Sequence, residues 1–312
     1  MATGHVLVLG GTGEARRLAD LLAGAGVSVT TSFAGATTAP ARPAGEVRSG
    51  GFGGADGLAD WLRRERPACV VDATHPFAAR MSGHAAAACA MVGTPLLRLA
   101  RPGWSEHPDA ASWTWVDTHE QAARAVVAGE DAAALRARAA RAAAPHVEVT
   151  RAGSPDDEAA SVESPRDETA RHPATSEPSS GDRMAVLLTV GRQPTPRYVP
   201  ALAAHRVVVR VAEARDLEMP GGWLLLSDVG PFTRESEDRL FARHRVGTLV
   251  TKDSGGAATS AKLDAARQTG ARVIVVRRPP PPPGVASVPD AEAAARWVHA
   301  ARMPSHNRAS AP

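Results

Sequence analysis

The chain has 312 residues, a net charge of +3 and an isoelectric point near 9.4. That length suits two modest domains, and the mild charge balance excludes a nucleic-acid binder of the usual basic kind while favouring anionic small partners. Two cysteines, Cys69 and Cys89, lack CxxC or metal-ligand spacing and predict small buried residues in a reducing compartment. No apolar run approaches the ~18 residues of a membrane span, and the N-terminal run is too short for a signal sequence, so the expectation is a cytoplasmic protein.

The apolar run His5–Leu9 predicts a first strand. It feeds a glycine-rich turn, Gly10-Gly11-Thr12-Gly13-Glu14, and a helix over Glu14–Ala23 with Leu18, Leu21 and Leu22 on one face. A strand–turn–helix of this kind aims backbone N–H groups and a helix N-terminus at one point, which suits a pyrophosphate. The match to a dinucleotide fingerprint is partial, because Arg16 stands where the third glycine belongs. A second strand, Val27–Thr31, leads into Ser32, Phe33, Ala34 and Gly35 without the carboxylate that grips a ribose diol. Thr31, Ser32, Gly35 and the basic Arg42 suit a 2′-phosphate, pointing to NADPH over NADH.

A helix is expected over Gly57–Glu65, a strand over Cys69–Asp72, a helix over Pro76–Val92 and a strand over Pro95–Leu99. Short apolar strands alternating with helices predict a parallel sheet buried on both faces. Asp72-Ala73-Thr74-His75-Pro76 closes the third of these strands, where polar residues line a ligand crevice. Pro76 pre-sets a helix start, with Thr74 or His75 as its cap. His75 is equally a candidate to orient a nicotinamide or to donate a proton.

A polar break over 102–112 marks a domain junction, and the rhythm then restarts. Strands are expected at Trp113–Val116, Ala185–Val190, Val207–Ala212, Trp223–Leu226, Thr248–Thr251 and Val273–Val276. Helices are expected near Glu120–Val127, Arg197–Ala204, Arg234–His244, Ser260–Thr269 and Ala291–Ala301. The architecture is therefore α/β: two Rossmann-like, doubly wound parallel-sheet domains, 1–105 and 106–302, with a cleft between them and a flexible tail over 303–312.

The stretch 151–183 carries four arginines, eight acidic residues, four prolines and no aromatic residue. It cannot bury enough apolar surface to offset its ordering entropy, so 145–183 reads as a disordered insertion behind an Ala/Arg-rich helical extension near 132–144. Its net charge of −4 leaves +7 on the remainder. Pro279–Pro283 reads as a short polyproline spacer.

Three strand ends in the second half offer further chemistry. They are Thr189-Val190-Gly191-Arg192, Gly230-Pro231-Phe232 and Thr251-Lys252-Asp253-Ser254-Gly255-Gly256. Arg192 and Lys252 suit substrate carboxylates, and Ser254 to Gly256 offer backbone N–H donors. The histidines show no ligand spacing, so no resident metal is expected, and no G-x-S-x-G nucleophile elbow is present.

These loops, in this order, resemble the precorrin-6A reductases of corrin biosynthesis. The likeness spans both halves and lapses over about 129–183. The resemblance implies NADPH-dependent reduction of one C=C bond of precorrin-6A, or its cobalt form, to precorrin-6B, an oxidoreductase step of cobalamin biosynthesis. It implies a polycarboxylate tetrapyrrole held by Arg98, Arg101, Thr189, Gly191, Arg192, Lys252 and Ser254–Gly256. The cofactor would lie on Gly10–Glu14, Thr31, Ser32, Gly35, Arg42, Asp72 and Thr74–Pro76, with His75, Asp253 or water as the proton source. A monomer or weak dimer is expected, with other corrin-pathway enzymes as further partners. Two other readings stand beside it. A different NADP-dependent Rossmann reductase would usually show Tyr-x-x-x-Lys, but position 202, four after the lone Tyr198, is Leu. A non-catalytic NADP-binding module would bind cofactor and ignore tetrapyrroles.

Overall fold

A computed structural model describes residues 4–33, 43–130, 184–214, 216–256 and 259–302. The expected helical extension, the insertion, the tail, Gly35 and Arg42 all lie outside these residues.

The first half runs β1 (Val6–Leu9), α1 (Gly13–Gly24), β2 (Val29–Phe33), β3 (Glu46–Ser49), α2 (Gly54–Glu65), β4 (Cys69–Asp72), α3 (Ala79–Val92) and β5 (Leu96–Leu99). The chain then crosses through a 3-10 turn (Ala110–Ser112) to β6 (Thr114–Val116) and a helix, α4, over 119–130. The second half continues with β7 (Ala185–Thr189), a 3-10 turn (Thr195–Tyr198), α5 (Val199–Leu202), β8 (Val207–Val211), β9 (Leu224–Ser227), α6 (Arg234–His244), β10 (Val246–Lys252), α7 (Ala261–Thr269) and β11 (Arg272–Val276). It ends in β12 (Ala286–Val288) and α8 (Ala291–Arg302).

These strands form two six-stranded sheets, ordered β3-β2-β1-β4-β5-β12 and β9-β8-β7-β10-β11-β6, with every pairing parallel. Strand alternation explains why both faces are covered. Val6 and Val8 point to one face, against Leu18 and Leu22 of α1 and Ala294 and Val298 of α8. Leu7 and Leu9 point to the other, against Leu58 and Leu62 of α2 and Ala85 and Ala88 of α3. In the second sheet Val186 and Leu188 meet α4 and Tyr198, while Leu187 meets Phe241 and Leu263. Cys69 and Cys89 fall on opposite faces of the first sheet as free, buried thiols, and burial pushes both up to about 12.

The edge strands depart from the expected division at residue 106. β6 completes the second sheet beside β11, whereas β12 returns to complete the first beside β5. Residues 286–302, expected in the second domain, thus belong with the first, because α8 buries Ala291, Ala294 and Val298 against the face bearing Val6 and Val8. The two crossings are pinned together. Arg278 donates to the carbonyls of Arg101 at 2.7 Å and Asp253 at 2.8 Å, and the Asp253 carboxylate accepts from the Trp104 N–H at 2.8 Å.

Candidate active site

Strand order reverses between β1 and β4 in the first sheet and between β7 and β10 in the second. At such a switch point neighbouring loops part to opposite faces and open a crevice at the carboxyl ends of the strands. The segment after β4 and those after β7 and β8 line one cleft of about 500 Å³, with Lys252 at the end of β10 and His119 at the start of α4.

The glycine loop adjoins the segment after β4, to which Thr12 is bonded. Gly11 has φ +115°, a conformation that L side chains rarely adopt. A methyl group on Gly10 would lie 2.8 Å from the Thr31 side chain, whereas one on Gly11 or Gly13 would meet nothing within 4 Å. Thr12 caps α1, its hydroxyl accepting from the Ala15 N–H at 3.1 Å and donating to the Ala73 carbonyl at 2.8 Å. The open face over Gly11–Gly13, at the N-terminus of α1, is a cradle that side chains would fill, and it fits a dinucleotide diphosphate.

Beyond this loop, several expected ligand residues are taken by the fold. Asp72 and Arg98, both buried, form an ion pair, and Arg98 also donates to Ser82 Oγ at 2.5 Å. The other Asp72 oxygen accepts from the Thr74 N–H at 3.1 Å and hydroxyl at 2.7 Å. Arg98, expected on the substrate, therefore shapes the loop after β4. Thr31 is fully buried with its hydroxyl unpartnered, which removes it from ligand contact. Arg101 bridges the halves, donating to Glu14 at 2.6 Å and to the Ser254 carbonyl at 2.7 Å. Gly255 packs so tightly that a Cβ would lie 2.1 Å from the Pro102 carbonyl oxygen, and one on Gly256 would lie 2.9 Å from Arg101. Ser254 to Gly256 and Asp253 thus join the domains instead of presenting an anion loop, and Asp253, spent on Trp104 and Arg278, is not placed as a proton donor.

Pro76 also differs from expectation. The helix starts at Ala79, because the Phe77 N–H donates to His75 Nδ1 at 3.2 Å and the Ala78 N–H to the His75 carbonyl at 2.8 Å, closing a turn first. With Nδ1 accepting, the His75 proton sits on Nε2. Burial, and then the cations Lys252 and Arg101, lower the His75 pKa to about 3, so the ring is neutral.

The cleft wall from the second half is cationic. Lys252 stands with its ammonium 5.2 Å from the centre of the Phe77 ring, and burial lowers its pKa to about 8. Gly191, at φ +84°, leaves it room: a Cβ there would lie 3.4 Å from Lys252 Nζ. Arg192 and Arg197 line the same wall, Arg197 also reaching Glu120 at 3.4 Å. Thr189 points elsewhere, its hydroxyl donating to the Val250 carbonyl at 3.3 Å. Further back, the Phe232 ring of Gly230-Pro231-Phe232 lies 3.9 Å from the guanidinium of Arg210, which pairs with buried Glu237 at 2.5 Å.

Of the expected residues, the fold brings His75, Gly191, Arg192 and Lys252 into one cleft. It adds His119, whose Nδ1 lies 2.8 Å from the buried Tyr198 hydroxyl, and whose pKa burial and Lys252 lower to about 4. Outside this cleft, on β3, Arg48 is a further basic candidate. Arg48 donates to Ser32 Oγ at 3.3 Å and to the carbonyls of Gly50 at 2.5 Å and Gly51 at 2.8 Å, with its guanidinium 3.9 Å from the centre of the Phe52 ring. Among the described residues no helix is long and apolar enough to cross a membrane, and no group of three or more His, Cys, Asp or Glu is placed to hold a metal ion.

Comparison with known proteins agrees with this fold. The family described as Precorrin-6x reductase CbiJ/CobK matches residues 5–299. The precorrin-6A reductase of Rhodococcus erythropolis is 39% identical over 295 residues, covering 94% of this chain and 97% of its own. That of Mycobacterium tuberculosis is 36% identical over 302 residues, covering 96% and 99%. A solved structure of CobK precorrin-6A reductase superposes with a TM-score of 0.72 at 30% identity, covering 96% of this chain and 97% of that one. With its paired parallel sheets and the cleft between their switch points, this chain belongs to the precorrin-6x reductase family of oxidoreductases.

Proposed function

We propose that the protein reduces one C=C bond of precorrin-6A with NADPH, yielding precorrin-6B in cobalamin biosynthesis. The observation that carries this reading is the joining of two unlike elements: a glycine loop at a helix N-terminus, bonded through Thr12 to the segment after β4, and the cleft that this segment lines together with Lys252, Arg192 and Arg197. The first suits a diphosphate, and the second suits a macrocycle bearing many carboxylates.

NADPH supplies, when bound, the hydride that one carbon of the double bond accepts. The residues here bind and orient. The loop Gly10–Glu14 receives the diphosphate. Arg48, braced by Ser32 and two loop carbonyls, receives the adenosine 2′-phosphate at the ends of β2 and β3. Thr74 to Pro76, fixed through Asp72 and Arg98, form the floor between cofactor and substrate. His75 stays neutral and offers its Nε2–H. Lys252, Arg192 and Arg197 take substrate carboxylates and hold the ring at the ~3–3.5 Å that transfer needs. The more similar relatives carry the name precorrin-6A reductase, without cobalt, which favours the metal-free substrate.

Anaerobic addition of precorrin-6A to enzyme and NADPH tests this. One NADPH oxidised per macrocycle is expected, with NADH at least about tenfold poorer for want of a charge on Arg48. The cobalt macrocycle, run in parallel, is expected to react more slowly. No oxidation with either nucleotide would reject the reading.

A further inference from the structure

Reducing a C=C bond needs a proton as well as a hydride, and the two go to neighbouring carbons. The donor must therefore stand where the cofactor wall and the substrate wall meet. Resting on the reductase reading above, we propose that Lys252 is the proton donor of the reaction and not only a carboxylate-binding cation.

Position comes first. Lys252 is the last residue of β10, in the second sheet, yet its ammonium lies against the ring of Phe77, which follows β4 of the first sheet. It is thus a second-domain side chain at the seam between walls. Gly191 keeps its flank clear, and among the described residues no carboxylate is ion-paired with it.

Elimination comes second. The titratable and charged groups around Lys252 are His75, His119, Arg192, Arg197, Glu213 and Lys262. His75 is held neutral with Nδ1 accepting from a backbone N–H, so it has no imidazolium proton to give. His119 is neutral too, and Tyr198 stands behind it with its hydroxyl pushed upward by burial. Arginines do not release protons, and a carboxylate such as Glu213 is an acceptor. Lys262 is not among the residues lining the cleft, and its ammonium lies 5.0 Å from the centre of the buried Trp104 ring. Lys252 remains. Its burial lowers the pKa to about 8, which leaves it protonated at neutral pH and a stronger acid than an ordinary lysine.

The step balances. One carbon gains a hydride and its neighbour gains the proton of a Lys252 N–H. The macrocycle takes two electrons and the nicotinamide loses two. Lys252 becomes a neutral amine and recovers a proton from water at the cleft mouth.

The full-length protein and its Lys252→Arg and Lys252→Gln variants separate the two roles. Lys252→Arg keeps the charge but cannot give up a proton. It is expected to bind precorrin-6A within about threefold of wild type in an absorbance titration, while the single-turnover rate of NADPH oxidation falls about 100-fold or more. Lys252→Gln is expected to lose both. In the wild type the rate should fall above about pH 8. A readout without turnover uses a small amine-acylating reagent on the unliganded wild-type protein, followed by peptide mass spectrometry. Trapping of Lys252 should rise with a midpoint near 8. Lys252→Arg turning over within about threefold of wild type, or a trapping midpoint at the ordinary lysine value, would overturn the assignment. Wild-type protein that binds both ligands and oxidises no NADPH would instead reject the reductase reading.

Discussion

The two walls of the cleft come from sheets of the same strand order, yet they use opposite materials. In the first half the charged side chains at the strand ends neutralise one another: Asp72 with Arg98, and Glu14 with Arg101. What is left for a ligand there is mostly backbone, on a loop whose glycines leave open space, with Arg48 the basic side chain beside it. In the second half the buried charge pair, Arg210 with Glu237, is set back behind Phe232, and Lys252, Arg192 and Arg197 face the cleft. The contrast shows that a charged residue at a strand end is not by itself a ligand contact. A diphosphate of fixed shape is met by fixed N–H groups, whereas a flexible polycarboxylate is met by side chains that can follow it.

Removing a charge should therefore cost stability on one wall and function on the other. The largest effect is expected from Asp72→Ala, which leaves the Arg98 guanidinium buried and unpaired. A loss of about 3–5 kcal/mol in urea unfolding is expected, because the orphaned charge keeps its desolvation cost. Lys252→Gln should lose far less stability, since that ammonium already stands without a carboxylate partner among the described residues. A small loss for Asp72→Ala would break the contrast.

Next in size is a pH effect from the cleft histidines. His75 and His119 have folded pKa values of about 3 and 4, below the 6.5 of an unfolded histidine. Between these values the unfolded chain binds more protons than the folded one, so stability rises with pH there and is lost as pH falls below about 6.5. Each excluded proton contributes a slope of up to about 1.4 kcal/mol per pH unit. Unfolding midpoints at pH 7 and pH 5 should draw together in His119→Asn. An unchanged gap would place His119 in contact with water.

The smallest effect is expected from Glu14→Gln. Its pairing with Arg101 is partly exposed, and such bridges contribute about 0–1 kcal/mol. Thermal melting should shift little, while NADP affinity should hold or rise as a negative charge leaves the diphosphate cradle. A large loss of stability would show that this bridge, and not Arg278 and Asp253, holds the halves together.

Much of the fold is readable from alternation alone. Runs such as Val6–Leu9, Cys69–Asp72 and Val207–Val211 are buried on both faces, so their apolar character is continuous and their limits fall within about a residue or two of expectation. β3 and β12 are missed for the complementary reason. Glu46–Ser49 and Ala286–Val288 are edge strands, largely exposed, and carry no apolar run. Without β12 the return of the chain to the first sheet is not visible. The candidate site is legible in part. His75, Gly191, Arg192 and Lys252 sit at strand ends and share the cleft as expected. Arg98 was misjudged because a cation beside a crevice reads the same whether it faces a substrate or a buried carboxylate 26 residues away. His119 and Tyr198 are 79 residues apart and have no spacing to betray them, whereas Arg48 was within reach as a basic residue closing an edge strand.

The division of labour between the walls is tested most directly by paired titrations of two variants with NADP and precorrin-6A. Arg48→Ala should weaken NADP binding about 10- to 100-fold and leave precorrin-6A binding unchanged, and Arg192→Gln should do the reverse by a smaller factor. Variants that each weaken both ligands alike, or that exchange these effects, would contradict the account.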